Sequence, residues 1–137
     1  MQVKIITDKE GANYDIEVVQ KNKNPVRFKP FCEYNERRNA ILVSVPSSEA
    51  NAASQIGAEA WNGFVGAYVS AINKAMQMKM KSVLVPELGD GLLWKDCLAA
   101  KAAREALGRV DKCPDDFTVV FCVNEEKYKL WDEMMSF

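Results

Sequence analysis

The chain has 137 residues, 48% of them hydrophobic and 27% charged, enough apolar material for one domain with its own core and too little for two. Its 18 basic and 19 acidic side chains leave a formal charge of -1, so neither a nucleic acid nor an anionic membrane is demanded as a partner. There is no histidine, which excludes Ser-His-Asp and Cys-His nucleophiles, imidazole bases and histidine metal ligands, and leaves carboxylates, Lys, Tyr, Ser, Cys, backbone amides and bound water for any chemistry.

In chain order, Val3 to Thr7, Ile16 to Gln20 and Val26 to Phe31 are short runs rich in Val, Ile and Phe and read as strands. Gly11 and Asn13 lie between the first two and suit a turn, so a hairpin is expected over residues 1–25. Pro30 cannot donate to a ladder and places the third strand at a bend or an edge. Ala40 to Val45, Val83 to Pro86 and Phe117 to Val123 are almost continuously apolar, the pattern of strands covered on both faces.

Three helical stretches alternate with those strands. Trp61, Phe64, Val65, Tyr68, Val69, Ile72 and Met76 recur with a period near 3.6. A second helix runs from Asp96, a suitable N-cap, through an alanine-rich face to Gly108. A third follows Asn124, again a suitable N-cap, with Tyr128, Trp131, Met134 and Met135 on one stripe. This alternation from residue 40 onward implies right-handed crossovers and parallel strand pairs. Residues 46–60 fit either a lid loop or a short helix. No segment approaches the ~20 apolar residues of a membrane span, and a soluble, cytoplasmic protein is expected. Cys32, Cys97, Cys113 and Cys122 lack C-x-x-C spacing and read as reduced, buried hydrophobes, with no metal site expected. The basic residues Arg37, Arg38 and Lys74 to Lys81 read as solvated ends, so nucleic acid is not an expected partner.

In a parallel sheet, ligands bind outside the carboxyl ends of the strands, which directs attention to the residues after Val45, Pro86 and Val123. The sharpest pattern there is Pro86-Glu87-Leu88-Gly89-Asp90-Gly91-Leu92-Leu93, which leaves a buried strand and enters a helix. Two glycines separated by one residue permit positive φ and bring backbone N–H groups close to an anion, although the same pattern serves a plain strand-to-helix turn. Asp90 and Glu87 oppose a simple anion site unless their side chains point away.

With Val83-Leu84-Val85 before it and Lys95-Asp96-Cys97-Leu98-Ala99-Ala100 after it, this loop resembles the macro domain family, whose modules bind ADP-ribose. The closing strand Thr118 to Val123 and the helix after Asn124 resemble that family's C-terminal unit. Placed without gaps, Asn39 to Ser48 falls where the family carries Ala-Ile-Val-Asn-Ala-Ala-Asn, and Val26 to Phe31 with Cys32-Glu33 falls where a strand leads into Gly-Asp-Ile. The resemblance thus spans residues 26–137 of a single domain, 1–137, with 1–25 as an added edge hairpin. It implies a three-layer α/β/α macro-type domain with a mixed, largely parallel sheet.

The resemblance also implies site residues. Glu33 stands for the family's Asp that accepts a hydrogen bond from the adenine amino group, a solvated carboxylate being the alternative. Gly63 and Phe64 stand for the Gly-Gly-Val diphosphate loop before the first long helix, or Gly63 is a packing glycine. Gly89, Asp90, Gly91, Leu92 and Leu93 match the second phosphate loop, and Val123 and Asn124 match positions lining adenine and its ribose. Ser44 and Ser47 fall where the two asparagines should be. A serine hydroxyl replaces an amide that both donates and accepts, and losing one such contact costs roughly 1–3 kcal/mol. The reading is therefore a divergent module that binds ADP-ribose or a related nucleotide diphosphate, free or on an ADP-ribosylated protein, without efficient turnover and without a cofactor. Two other readings stay open: a macro fold that has lost nucleotide binding and serves protein interaction, and a hydrolase of ADP-ribosyl bonds or of ADP-ribose phosphate in which Asp90, Glu87 or Glu59 activates water.

Overall fold

The computed structural model describes residues 1–21, 32–46, 54–89 and 96–136, with backbone alone at 54–58 and 96. The elements are β1 (Gln2–Ile6), β2 (Ile16–Gln20), β3 (Cys32–Asn35), β4 (Ala40–Val43), α1 (Ser54–Gln77), β5 (Ser82–Pro86), α2 (Asp96–Leu107), β6 (Thr118–Cys122) and α3 (Glu125–Met135). The expected strand Val26 to Phe31 lies outside the described residues. The stretch that fitted either a lid or a helix enters α1 at Ser54.

One six-stranded sheet has the order β1-β6-β5-β2-β4-β3. Every neighbouring pair is parallel except β3 with β4. The expected N-terminal hairpin does not form: β1 and β2 are parallel, with β6 and β5 between them. Gly11, at φ 77, does make a local turn, with the Ala12 N–H donating to the Lys9 carbonyl at 3.1 Å. Partners distant in sequence then decide where β2 goes. The Asp15 N–H donates to Ser82 Oγ at 2.9 Å, and Asp15 Oδ2 accepts the Lys81 N–H at 2.8 Å. These bonds stitch the amino end of β2 to that of β5. The connection 7–15 reaches ~30 Å when extended, more than the ~22 Å needed to descend one strand and cross three inter-strand spacings.

Handedness assigns the layers. The steps β4 to β5 and β5 to β6 move the same way along the sheet, so right-handed crossovers put α1 and α2 on one face, and the opposite step from β1 to β2 passes over the other. Val18, Ile41, Val83, Val85, Val119 and Phe121 face the helices in one core with Phe64, Tyr68, Ile72 and Trp131. Ala99, Ala100, Ala102, Ala103 and Ala106 are buried in α2, which lets that helix approach closely. On the second face Leu42, Leu84 and Val120 are buried, and Lys9 from the crossing segment meets Glu17 at 3.5 Å. All the described helices lie in one layer, and the second helical layer of the expected three-layer arrangement is not among the described elements.

Two helix ends refine the expectations. At the end of α1 the Met80 N–H donates to the Ala75 carbonyl at 3.1 Å and the Lys79 N–H to that of Met76 at 3.0 Å. This is a Schellman closure with Lys79, at φ 64, in the position that usually holds glycine. On α3 Trp131 and Met135 are buried, whereas Tyr128 is 40% exposed. Tyr128 belongs to the first turn, at the sheet's carboxyl edge, so the buried stripe is narrower than periodicity indicates.

Candidate functional site

Strands β5 and β2 are neighbours whose onward connections leave in opposite directions, β5 toward β6 and β2 toward β3 and β4. That is the topological switch point of an open α/β sheet, where a crevice opens beyond the carboxyl ends. The ladder shows the opening directly. Strands β5 and β6 pair as far as Pro86 with Cys122, and β2 and β4 as far as Gln20 with Val43. Strands β2 and β5, in contrast, pair only at Ile16 with Val83 and Glu17 with Leu84.

Three consecutive residues at the exit of β5 are each held by a side chain from a different element. Glu87 is held by α3: Lys127 Nζ lies 2.6 Å from its Oε1, and Trp131 Nε1–H donates to its Oε2 at 2.8 Å. The Leu88 N–H donates to the Tyr68 hydroxyl of α1 at 3.0 Å. The Gly89 N–H donates to Gln20 Oε1 of β2 at 2.6 Å, and Gly89 adopts φ 93, a left-handed backbone that favours glycine. The aromatic rings behind these contacts form a continuous row. Phe64 stacks on Tyr68 at 5.8 Å, Tyr68 meets Phe121 edge-on at 6.3 Å, and Phe121 lies 5.2 Å from Trp131. The row buries its rings and turns two polar tips toward the loop, as amphipathic aromatics do. Burial pushes the Tyr68 phenol far above its ordinary pKa, and the nearby Glu87 charge adds to the rise, against the lowering effect of the bond from Leu88. It therefore stays protonated at neutral pH.

Beside this exit a cleft of about 170 Å³ is lined by Pro86, Glu87, Cys122, Val123, Asn124 and Lys127. Strand β1 joins it, since the Val123 N–H donates to the Ile6 carbonyl at 2.9 Å, which brings Thr7 and Asp8 to the same edge. Asn124 is the N-cap residue of α3, but its side chain makes no capping hydrogen bond. Burial raises the pKa of the Cys122 thiol, and the charge of Asp8 raises it further while Lys9 opposes. Burial likewise raises that of Cys32, with Lys74 opposing. Both thiols are thus kept in the protonated, unreactive form. No group of three or more His, Cys, Asp or Glu side chains that could hold a metal occurs among the described residues.

Of the expected site residues, Val123 and Asn124 line one cleft, and Gly89 lies at the exit of β5, bonded to β2. Ser47, Asp90, Gly91, Leu92 and Leu93 lie outside the described residues. Two expectations are corrected. Gly63 and Phe64 sit inside α1, both buried, where backbone amides are committed to carbonyls one turn back and are not offered to a phosphate. Glu33 lies on β3, beyond β2 and β4 from the switch point, about half exposed and 3.9 Å from Lys21. Ser44 directly follows β4 at the carboxyl edge of the sheet and is fully buried, with β2 between it and β5. Of the carboxylates considered for water activation, Glu87 has both oxygens engaged by Lys127 and Trp131, Glu59 is an exposed residue of α1, and Asp90 lies outside the described residues.

Sequence reading missed Gln20, Tyr68, Asp8 and the Lys127–Trp131 pair. Gln20 and Asp8 carried a usable signal, each being the polar residue that closes or directly follows an apolar strand. Tyr68 and Trp131 gave none, because their polar tips belong to rings indistinguishable in sequence from core.

No family model matches the sequence, and no curated protein matches it. Solved structures do. The chain is similar to the macro domain of ganglioside induced differentiation associated protein 2, with a TM-score of 0.72 at 13% identity, covering 98% of this chain and 82% of that one. It is similar to a variant of the Oceanobacillus iheyensis macrodomain solved with ADPR, with a TM-score of 0.69 at 11% identity over 97% and 90% of the two chains. It is also similar to poly(ADP-ribose) glycohydrolase from Deinococcus radiodurans, solved in complex with ADP-ribose, with a TM-score of 0.51 at 14% identity over 70% of this chain and 42% of that one. The chain has the macrodomain fold, and the resemblance carried by the β5 loop is borne out at the level of fold. The first match takes in nearly the whole chain, so β1 and β2 are part of the shared fold and not an addition to it.

Proposed function

We propose that this chain is an ADP-ribose-binding module, taking ADP-ribose or a related nucleotide diphosphate, free or attached to protein, without efficient turnover. The observation that carries the proposal is the exit of β5. Three successive residues, ending in Gly89, are pinned by α3, α1 and β2 at a switch point where the sheet has opened. A crevice whose walls are already ordered binds a nucleotide diphosphate with little ordering cost. The macrodomain fold, with neighbours solved in complex with ADP-ribose, supports the same ligand class.

The adenine-side carboxylate is assigned to Asp8 in place of Glu33. Strand β1 leads into Thr7-Asp8 at the same sheet edge, where the Ile6 carbonyl accepts the Val123 N–H, and this strand-then-acid order matches the pattern of the resemblance. Slow turnover is the reading supported by Glu87, whose two oxygens are already held by Lys127 and Trp131, and by Glu59, which lies on the exposed side of α1; Asp90, the third carboxylate considered, lies outside the described residues.

Calorimetric titration with ADP-ribose tests the proposal. Micromolar binding is expected, weakened about tenfold or more by Gly89→Ala and by Asp8→Ala, and unchanged by Glu33→Ala. Absence of heat together with an unchanged melting temperature at millimolar ADP-ribose refutes nucleotide binding. Release of ADP-ribose from modified protein that disappears in Asp90→Ala refutes the absence of turnover.

A further inference from the structure

A second concavity opens at the opposite edge of the sheet, at the amino ends of β5 and β6, with a volume of about 390 Å³. Met76, Met80 and Phe117 form an apolar floor, and Lys79, Lys81 and Lys112 stand around it, with Asp116 as the acidic member of the lining. It is separated from the β5 exit by the length of the strand, ~17 Å, and shares no residue with the cleft there.

Two independent features set it apart from ordinary surface. The first is charge. Three lysines and one aspartate line one apolar hollow, in a chain whose net charge is -1. Like charges held together repel, and a low-dielectric floor strengthens their attraction for an anion. The second is backbone. Lys79 holds φ 64 in the Schellman turn that ends α1, a left-handed conformation that glycine would adopt without strain. The backbone carrying the rim is also fixed: the Lys81 N–H donates to Asp15 Oδ2 at 2.8 Å, and the Thr118 N–H donates to the Lys81 carbonyl at 2.9 Å. The volume falls within the ~300–1,000 Å³ of small-molecule sites. The larger hollow of about 700 Å³ between β1, α2 and α3 mixes Lys101 and Arg104 with Glu105 over Met1, Val3 and Met134. It lacks both the three-to-one charge bias and the strained backbone.

We propose that the cavity at the amino ends of β5 and β6 binds a small organic anion with an apolar body. The ring or chain lies against Met76, Met80 and Phe117, and the anionic group sits among Lys79, Lys81 and Lys112. The site is independent of the nucleotide cleft.

The methionines supply the reporters. The whole chain, labelled with ¹³C at the methionine methyl groups, is titrated with 1-naphthalenesulfonate and, separately, with the neutral 1-naphthalenemethanol. Saturable shifts of the Met76 and Met80 methyls are expected with the sulfonate, weakened about tenfold or more for the neutral analogue and in the double variant Lys81→Gln, Lys112→Gln. The methyl of Met135, buried in α3, stays in place and shows that the variant is folded. No saturable shift at low-millimolar sulfonate, shifts confined to Met1 and Met134, or equal affinity for the neutral analogue each overturns the proposal.

Discussion

Replacing Glu87 separates a structural carboxylate from a catalytic one. Its side chain retains 14% of its exposure and that of Lys127 retains 21%, with a separation of 2.6 Å. Fully exposed pairs are worth ~0–1 kcal/mol, whereas removing one partner of a fully buried pair costs ~3–5 kcal/mol. The Glu87–Lys127 pair lies nearer the buried limit, and Glu87→Ala also strands the Trp131 N–H, a bond to a charged acceptor worth ~1.5–3 kcal/mol. These terms overlap, because one carboxylate serves both donors. The expected loss is thus about 2–4 kcal/mol, a large fraction of a total near 5–15 kcal/mol. At ~4 °C per kcal/mol for a domain of this size, the melting temperature falls by about 10 °C. Glu87→Gln keeps an acceptor for Trp131 and gives up the ion pair, so about half that loss is expected. Urea unfolding of the two variants and of Lys127→Met, alone and combined, measures the coupling. An unfolding free energy for Glu87→Ala within ~0.5 kcal/mol of the wild type, the range of an unremarkable surface change, refutes the clamp.

Further outcomes follow from the same structure. Lys79→Gly relieves the left-handed backbone and is expected to raise stability by about 1 kcal/mol in urea unfolding, whereas Lys79→Ala brings no such gain. Asp15→Ala removes the acceptor that joins β2 to β5 and is expected to cost ~1–2 kcal/mol by the same measurement, with Asp15→Asn retaining part of it. Tyr68 keeps its proton in the folded state above the ordinary pKa of 10.0, where the unfolded chain releases it. Its contribution is therefore complete below pH 10 and declines as pH rises further, by up to ~1.4 kcal/mol per pH unit. Tyr68→Phe is less stable at neutral pH, through the lost acceptor for Leu88, but its stability falls less steeply between pH 10 and 11. Parallel slopes for the two proteins refute that assignment.

Much of the scaffold was legible because it rests on local pattern. Apolar runs at 40–45, 83–86 and 117–123 separated by helical periods leave few ways to bury both faces of a strand. The site was less legible. Both 1–8 and 26–33 offered an apolar strand leading toward a carboxylate, and an ungapped placement favoured the second. Position beside β6, which distinguishes Asp8 from Glu33, is a property of strand order and has no signature in either segment. Gly63 had the same difficulty, since a glycine in a helix and a glycine in a phosphate loop look alike until the helix boundaries are known.

The sequence by itself determined the α/β class, the helix faces and the glycine-bearing exit from β5, because periodicity, chain breakers and burial tendency act within a few residues. Tertiary structure alone decided that β1 and β2 part company, that the sheet opens between β2 and β5, and that Glu87 is tied to Lys127 and Trp131. Each of these depends on partners 40 or more positions apart. At that separation identity in the chain says nothing about proximity, and the balance between a solvated charge and a satisfied one is set by the neighbours that folding supplies.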